Sequence, residues 1–255
     1  MSSLKFLKKE FKEIFKTYKI WVVPLIFIFF GFMSPFAVKL LPKFLEAQMK
    51  TQSIVFKIPK PVATDALLQY FKNLSQMGAL AVILLSMGLV SEEKARGTLH
   101  LILTKPVSRT SVIVSKFTAQ AVLISFSVIG GAACCYLYTL VLFKEGNIGL
   151  FSQSTVLYLI YYLLLLAITL FFSTLFANQV AAGGLALIVF FGLTLLPSVS
   201  KLMAKYSPYA LTIVGDNIIK GEEIFSAGGW PFIIALVATC LFLLATCLVF
   251  NYQEI

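Results

Sequence analysis

Few residues in this chain have types and spacings that could do chemistry. The single histidine, His100, stands in a charged segment. No G-x-x-x-x-G-K-[ST] run is present to cradle nucleotide phosphates, no H-E-x-x-H to hold a catalytic zinc, and no G-x-S-x-G nucleophile elbow. The four cysteines, Cys134, Cys135, Cys240 and Cys247, all lie inside apolar runs without C-x-x-C spacing. Neither a disulfide framework nor a zinc site is therefore expected, and no residue is assigned a catalytic or metal-binding role. Cys240 and Cys247 share a helical face, so a thiol path for a soft metal stands as the weaker reading beside plain apolar packing.

The most informative stretch is residues 91–117, SEEKARGTLHLILTKPVSRTSVIVSKF. Glu92 and Glu93 favour a helix N-terminus through the helix dipole. Gly97–Thr98 and then Pro106 break the stretch into two short pieces. Between the breaks, Leu99, Leu101, Ile102 and Leu103 form an apolar patch too short to span a bilayer, with Arg96, Arg109 and Lys116 around it. Such an amphipathic elbow is shaped either to dock into another protein's groove or to lie as an interfacial loop without a partner.

The elements that must position this elbow follow from composition. Hydrophobic residues make up 59% of the 255 and charged residues 13%, against roughly 45–50% and about 25% in soluble domains. With a mean hydropathy of +0.92, the chain requires lipid as its solvent. Six runs are long enough to cross a hydrocarbon core, near residues 20–38, 74–90, 117–143, 156–176, 180–199 and 230–250, and none contains Asp, Glu, Lys, Arg or His. They are continuously apolar and do not alternate, which makes them helices and not barrel strands. The expected architecture is one all-α transmembrane domain over residues 1–255.

Residues 1–19 form a different helix. Leu4, Leu7, Phe11, Ile14, Phe15 and Tyr18 fall within an arc of roughly 100°, while Lys5, Lys8, Lys9, Lys12, Lys16 and Lys19 gather on the adjacent arc. This pattern predicts an interfacial helix with its apolar face at the acyl boundary and its lysines at lipid phosphates. No cleavable signal peptide is expected. The net charge of +10 reads as headgroup anchoring, because the basic residues lie between apolar runs; nucleic acid is not an expected partner. With both termini cytoplasmic, the inside would hold eleven basic residues and the outside ten. The lysines before the first span favour that orientation. The first loop, about residues 39–73, carries Pro42, Pro59 and Pro61 and reads as turns or extended structure. Residues 144–147 and 177–179 read as tight turns, and the half-apolar loop 200–229 as a segment dipping into the membrane face.

Ionisable groups are missing from the spans, and coupled transporters place such groups along their pathway. A transporter without its own ion relay draws work from a partner, which points to an external ATPase. The alternatives are a self-sufficient secondary carrier or channel, and a scaffold that moves nothing. An enzyme is disfavoured, since no polar catalytic groups lie at membrane depth.

The stretch 93–116 resembles the signature of the ABC type-2 exporter permeases, E-x-x-x-G-T-L-E-x-L-L-x-x-P-V-S-R followed by a lysine. Glu93, Gly97, Thr98, Leu99, Leu103, Pro106, Val107, Ser108, Arg109 and Lys116 supply it, and His100 departs from it where the family usually has Glu. The six-span layout and the N-terminal helix extend the resemblance over nearly the whole chain. It implies a permease subunit that dimerises with a second copy or a paralogue and binds separate ABC ATPase subunits. ATP and Mg would be held by those subunits, with no cofactor in this chain. Glu92, Glu93, Arg96, Gly97, Thr98, Leu99, Pro106, Ser108 and Arg109 would form the coupling elbow, residues 91–109. Lys5, Lys8, Lys9, Phe11, Lys12 and Phe15 would belong to the connecting helix, in contact with membrane lipids. Spans two and five would face the dimer axis, with Ala182, Gly183 and Ala186 among the small residues that let helices approach there. The implied activity is export across a prokaryotic plasma membrane by alternating access, with both termini cytoplasmic.

Overall fold

A computed structural model describes residues 3–51, 60–99, 108–199, 206–221 and 229–253. These residues are helical almost throughout, and six helices are long and apolar enough to cross a membrane. Helix α1 (Ser3–Lys16) precedes the first span, α2 (Lys19–Thr51). The second span is continuous in direction but built in pieces: α3 (Ala63–Asn73), a π-helical turn (Leu74–Gly78) and α4 (Ala79–Ser86), ending in the short α5 (Ser91–Ala95). Then come α6 (Arg109–Phe143), α7 (Ile148–Leu175), α8 (Gln179–Val199), α9 (Ala210–Lys220) and α10 (Trp230–Tyr252).

The tight turns fall where the sequence places them. Ser108 caps α6 by accepting from the Ser111 amide, and Asn147 caps α7 by accepting from Gly149 and Leu150. Asn178 Oδ1 accepts from the Val180 amide at 2.8 Å and starts α8 three residues after α7 ends.

The first loop is the main correction. Pro42 lies inside α2, which continues to Thr51, and residues 63–73 are helix and not extended structure. Pro59 lies outside the described residues. The apolar run marks where lipid ends, but a helix needs only one buried face to continue, and α3 buries Ala63, Ala66, Leu67, Tyr70 and Phe71. The spans also begin and end beyond their apolar limits, so that Asp65, Lys72, Lys94, Arg109 and Lys116 lie on spanning helices.

The most enclosed span is α7, around which the others gather; α8 and α10 leave most of their apolar surface exposed. Helices α2 and α6 cross with almost no side chain between them. A Cβ on Gly31 would stand 2.5 Å from Gly131 O, and one on Gly131 would stand 2.6 Å from Phe27 O. Helix α9, in the stretch expected to dip back, packs on α7: Ser154 Oγ donates to Gly215 O (2.8 Å) and the Tyr158 hydroxyl to Asp216 (3.1 Å).

Both terminal helices, α5, the start of α6 and the α7–α8 turn meet at one end of the bundle, here the proximal end. Lys94 Nζ donates to Thr174 O and to Gln253 Oε1, and Gln253 Nε2 donates to Thr174 O. Six spans and a shared end for both termini agree with the sequence.

A charged elbow at the proximal end

The elbow is built from its N-terminal turn outward. The amides of Val90 and Ser91, which start α5, both donate to Ser173 Oγ of α7, at 3.0 and 3.1 Å. That contact fixes the direction in which the chain leaves the second span. Glu92 pairs with Arg96 one turn on, and Gly97 then reverses the chain with a φ of +67°, where a Cβ would be strained. Ala95, Arg96, Gly97 and Thr98 stand exposed, the Arg96 side chain at 70%. Leu99 turns back into a small apolar cluster with Phe6, Val112, Ile113, Leu170 and Phe250. His100, Pro106, Val107 and the rest of the patch 101–103 lie outside the described residues.

Two residues of the expected elbow face their own chain. Arg109 donates from one guanidinium nitrogen to the carbonyls of Phe250, Asn251 and Gln253, at 3.2, 3.1 and 2.7 Å, closing the C-terminus of α10. Glu93 is largely enclosed and accepts from Lys116 Nζ at 2.8 Å.

Lys116 is the centre of an ion cluster that the sequence reading left unassembled. It is 2% exposed and also reaches Glu10 of α1 at 3.4 Å. Lys9 pairs with Glu10 (3.2 Å), Glu13 (3.0 Å) and Glu93 (3.7 Å). Three helices, α1, α5 and α6, are thus joined through two ammonium groups and three carboxylates. Burial alone would lower the Lys9 pKa, but Glu10, Glu13 and Glu93 more than reverse this and hold it above its ordinary value. Burial alone would raise the Glu13 carboxyl. The hydrogen bond and charge of Lys9, with Lys116 and Lys19 behind, bring it below instead. Glu10, Glu13 and Glu93 lie close enough to hold a cation, and the cations they hold are Lys9 and Lys116.

This cluster sets which side of α1 turns to the bundle. The face turned to the bundle carries Phe6 and Glu10, both at most 5% exposed, with Ile14 half-buried. It lies about a quarter-turn from the centre of the apolar arc. Phe11 is half-buried, Phe15 is exposed, and Lys5, Lys8 and Lys12 point to the far side. The available signal was Glu10 itself, an acid spaced four residues from Phe6 and from Ile14.

On α8, Ala182 and Ala186 are buried, and a Cβ on Gly183 would meet Met87 Sδ of span two at 2.5 Å. These small residues pack within the chain. Gly184 is open, and Val180, Ile188 and Leu195 on the same stripe are exposed.

Between the elbow and the α7–α8 turn runs an open groove of about 580 Å³, lined by Glu92, Ala95, Arg96, Ala177, Asn178 and Gln179. An exposed elbow, keyed by ion pairs to a basic terminal helix, thus stands beside an open groove at the proximal end. Two comparisons with known proteins bear on the family. YxlG of Bacillus subtilis (strain 168), described as an uncharacterized transmembrane protein, is 25% identical over 253 residues, covering 97% of this chain and 96% of the relative. Residues 4–254 match the family described as ABC-2 family transporter protein. The match takes in the terminal helix, the elbow and all six spans together, so the chain is a multi-pass membrane protein that belongs to the ABC-2 family of transporters.

Proposed function

We propose that this chain is the permease through which separate ABC ATPase subunits drive export across a prokaryotic plasma membrane. The observation that carries the reading is the exposed elbow, Ala95–Thr98, projecting beside an open groove while its root is tied to α1 and α6 through Glu93 and Lys116. A push on the elbow reaches the spans by two routes, the Val90–Ser91 contact with Ser173 and the Glu93–Lys116 pair. The partner holds ATP and Mg. The lysines of α1 support a cytoplasmic proximal end. A second permease copy or a paralogue covers the α8 stripe of Val180, Gly184, Ile188 and Leu195, and the two alternate access between them.

The test separates docking from folding by choosing the side chain that faces outward. The tagged chain is purified from its host in mild detergent, and co-purifying proteins are identified by mass spectrometry. Recovery of a stoichiometric P-loop ATPase is expected. Arg96→Glu should weaken that recovery and lower the ATP turnover of the complex, with the thermal midpoint of the permease unchanged. A chain recovered alone that conducts or carries solute in liposomes sinks this reading and establishes a self-sufficient channel or carrier.

A further inference from the structure

Beside the ion cluster, a cavity of about 640 Å³ opens between α1, the turn into α2, α5 and α6. Its walls carry four carboxylates and four cations. Lys9 and Lys116 share Glu10, Glu13 and Glu93, which leaves one negative charge in that cluster, and Arg96 pairs with Glu92. Lys19 lines the same cavity, half-buried, and among the described residues no carboxylate lies within 4.0 Å of it.

Deeper in the wall stands Gln120, 1% exposed, with neither its amide nitrogen nor its amide oxygen hydrogen-bonded. An unpaired buried polar group costs about 1–3 kcal/mol, so a buried side chain with both polar atoms unpaired beside a cavity calls for a partner within it. Glu93 Oε2 is also buried without a donor. The cavity therefore offers one unpaired cation, one amide donor and two acceptors. That set is complementary to a phosphodiester carrying a hydroxyl or ammonium group.

Such chemistry occurs on free phosphate compounds and on lipid headgroups, and the mouth of the cavity favours the lipid. Tyr18 lines it and is 87% exposed. From Tyr18 an exposed apolar stripe continues down α2 through Val22, Leu25 and Phe29, at helical spacing. This is a track for an acyl chain, and it begins where the headgroup site ends.

We propose that this cavity binds one glycerophospholipid from the leaflet at the proximal end. Its phosphodiester lies at Lys19, its headgroup hydroxyl or ammonium at Gln120 and Glu93, and an acyl chain along the α2 stripe. The lipid would pin α1 against the bundle as a structural ligand. The proposal does not rest on the transport reading: Lys19, Gln120 and Glu93 do not line the groove, although Glu92 and Arg96 border both.

Native mass spectrometry of the full chain, in detergent containing phosphatidylglycerol and phosphatidylethanolamine, tests it. One retained phospholipid per chain is expected, and diacylglycerol, which lacks the phosphate, should not be retained. Lys19→Met and Gln120→Leu should each lower the retained fraction about tenfold, the loss of one charge-assisted hydrogen bond, while Lys19→Arg keeps it. Circular dichroism and gel filtration confirm folding, and each of the two variants reads out if the other fails to fold. Equal retention by wild type and a folded Lys19→Met or Gln120→Leu would overturn the site. Displacement of the lipid by millimolar inorganic phosphate would overturn the lipid assignment in favour of a soluble phosphate ligand.

Discussion

At the proximal end the helices meet through charge, and at the opposite, distal end they meet through aromatic rings. Proximally, α1, α5 and α6 share Lys9, Lys116, Glu10, Glu13 and Glu93. Distally, Phe71 of α3 stacks on Tyr158 of α7 with centroids 4.6 Å apart and meets Phe151 at 5.4 Å, while Tyr161 meets Tyr209 beside α9 edge-on at 5.9 Å. The two kinds of contact tolerate motion differently. Glu93 Oε1 lies 2.8 Å from Lys116 and 3.7 Å from Lys9, so a shift of α5 can exchange one partner for the other. Interlocked rings have a single good fit and lose it outright when displaced. On the coupling proposed above, force entering at the elbow should therefore rearrange the proximal end against a fixed distal frame.

The largest effect should come from Lys116→Met. It leaves Glu10 and Glu93 buried beside one lysine instead of two, and removing one partner of a buried ion pair typically costs about 3–5 kcal/mol. Thermal unfolding in detergent should show a correspondingly large drop. Adding Glu10→Gln and Glu93→Gln should recover most of it, because the uncompensated charge is then gone. A Lys116→Met midpoint no lower than that of the exposed Lys12→Met would mean that charge does not hold this end.

Gly78→Ala probes the middle of the bundle, where the Tyr162 ring neighbours Tyr161 of the distal rings. The added Cβ would stand 2.4 Å from the Tyr162 hydroxyl, which donates to Leu74 O at 2.9 Å beside the Ala79 amide that closes the π-helical turn on the same carbonyl. Overpacking of this kind costs about 1–3 kcal/mol. Combining it with Tyr162→Phe should restore part of the loss, since the clashing oxygen leaves with its hydrogen bond. Strict additivity of the two would show that the joint is not keyed as the geometry indicates.

How far these regions were legible in the sequence follows from the range of the interactions. The spans and the turns at Lys144–Asn147 and Ala177–Gln179 were legible, because apolar runs and capping residues act locally. So was the elbow's reversal at Gly97. Lys116 read as a cation beside the elbow and Glu10 carried no reading; their pairing joins residues 106 positions apart, and nothing local marks it. The helices at residues 39–51 and 63–73 were missed because proline was weighted above amphipathic pattern, although membrane helices tolerate proline where neighbours satisfy the freed carbonyls. The small residues of α8 were legible as close-packing residues, but only the fold shows that Gly183 packs against Met87 of the same chain.

The smallest expected effect is a difference in acid response between the ends. Glu13 has its carboxyl held below the ordinary 4.5: burial would raise it, but the hydrogen bond and charge of Lys9 dominate. The folded state then binds fewer protons than the unfolded one, so this contribution is present above the ordinary value and lost as pH falls through the folded one. Being half-exposed, Glu13 should contribute only about 0.2–1 kcal/mol. Asp216 on α9 behaves oppositely. Burial raises it above the ordinary 3.8, against the hydrogen bond from Tyr158 and the charges of Lys220 and Lys72. There the folded state binds more protons, and stability falls as pH rises from the ordinary value through the raised one. Thermal midpoints followed between about pH 3 and 7, to either side of the ordinary carboxyl values, should therefore separate the variants. Glu13→Gln should remove part of the acid-side loss, whereas Asp216→Asn should remove a loss on the neutral side. If both substitutions shift the profile in the same direction, the ends do not differ in the sign of their proton linkage, and the contrast between a charge-held end and a ring-held end reduces to one of strength alone.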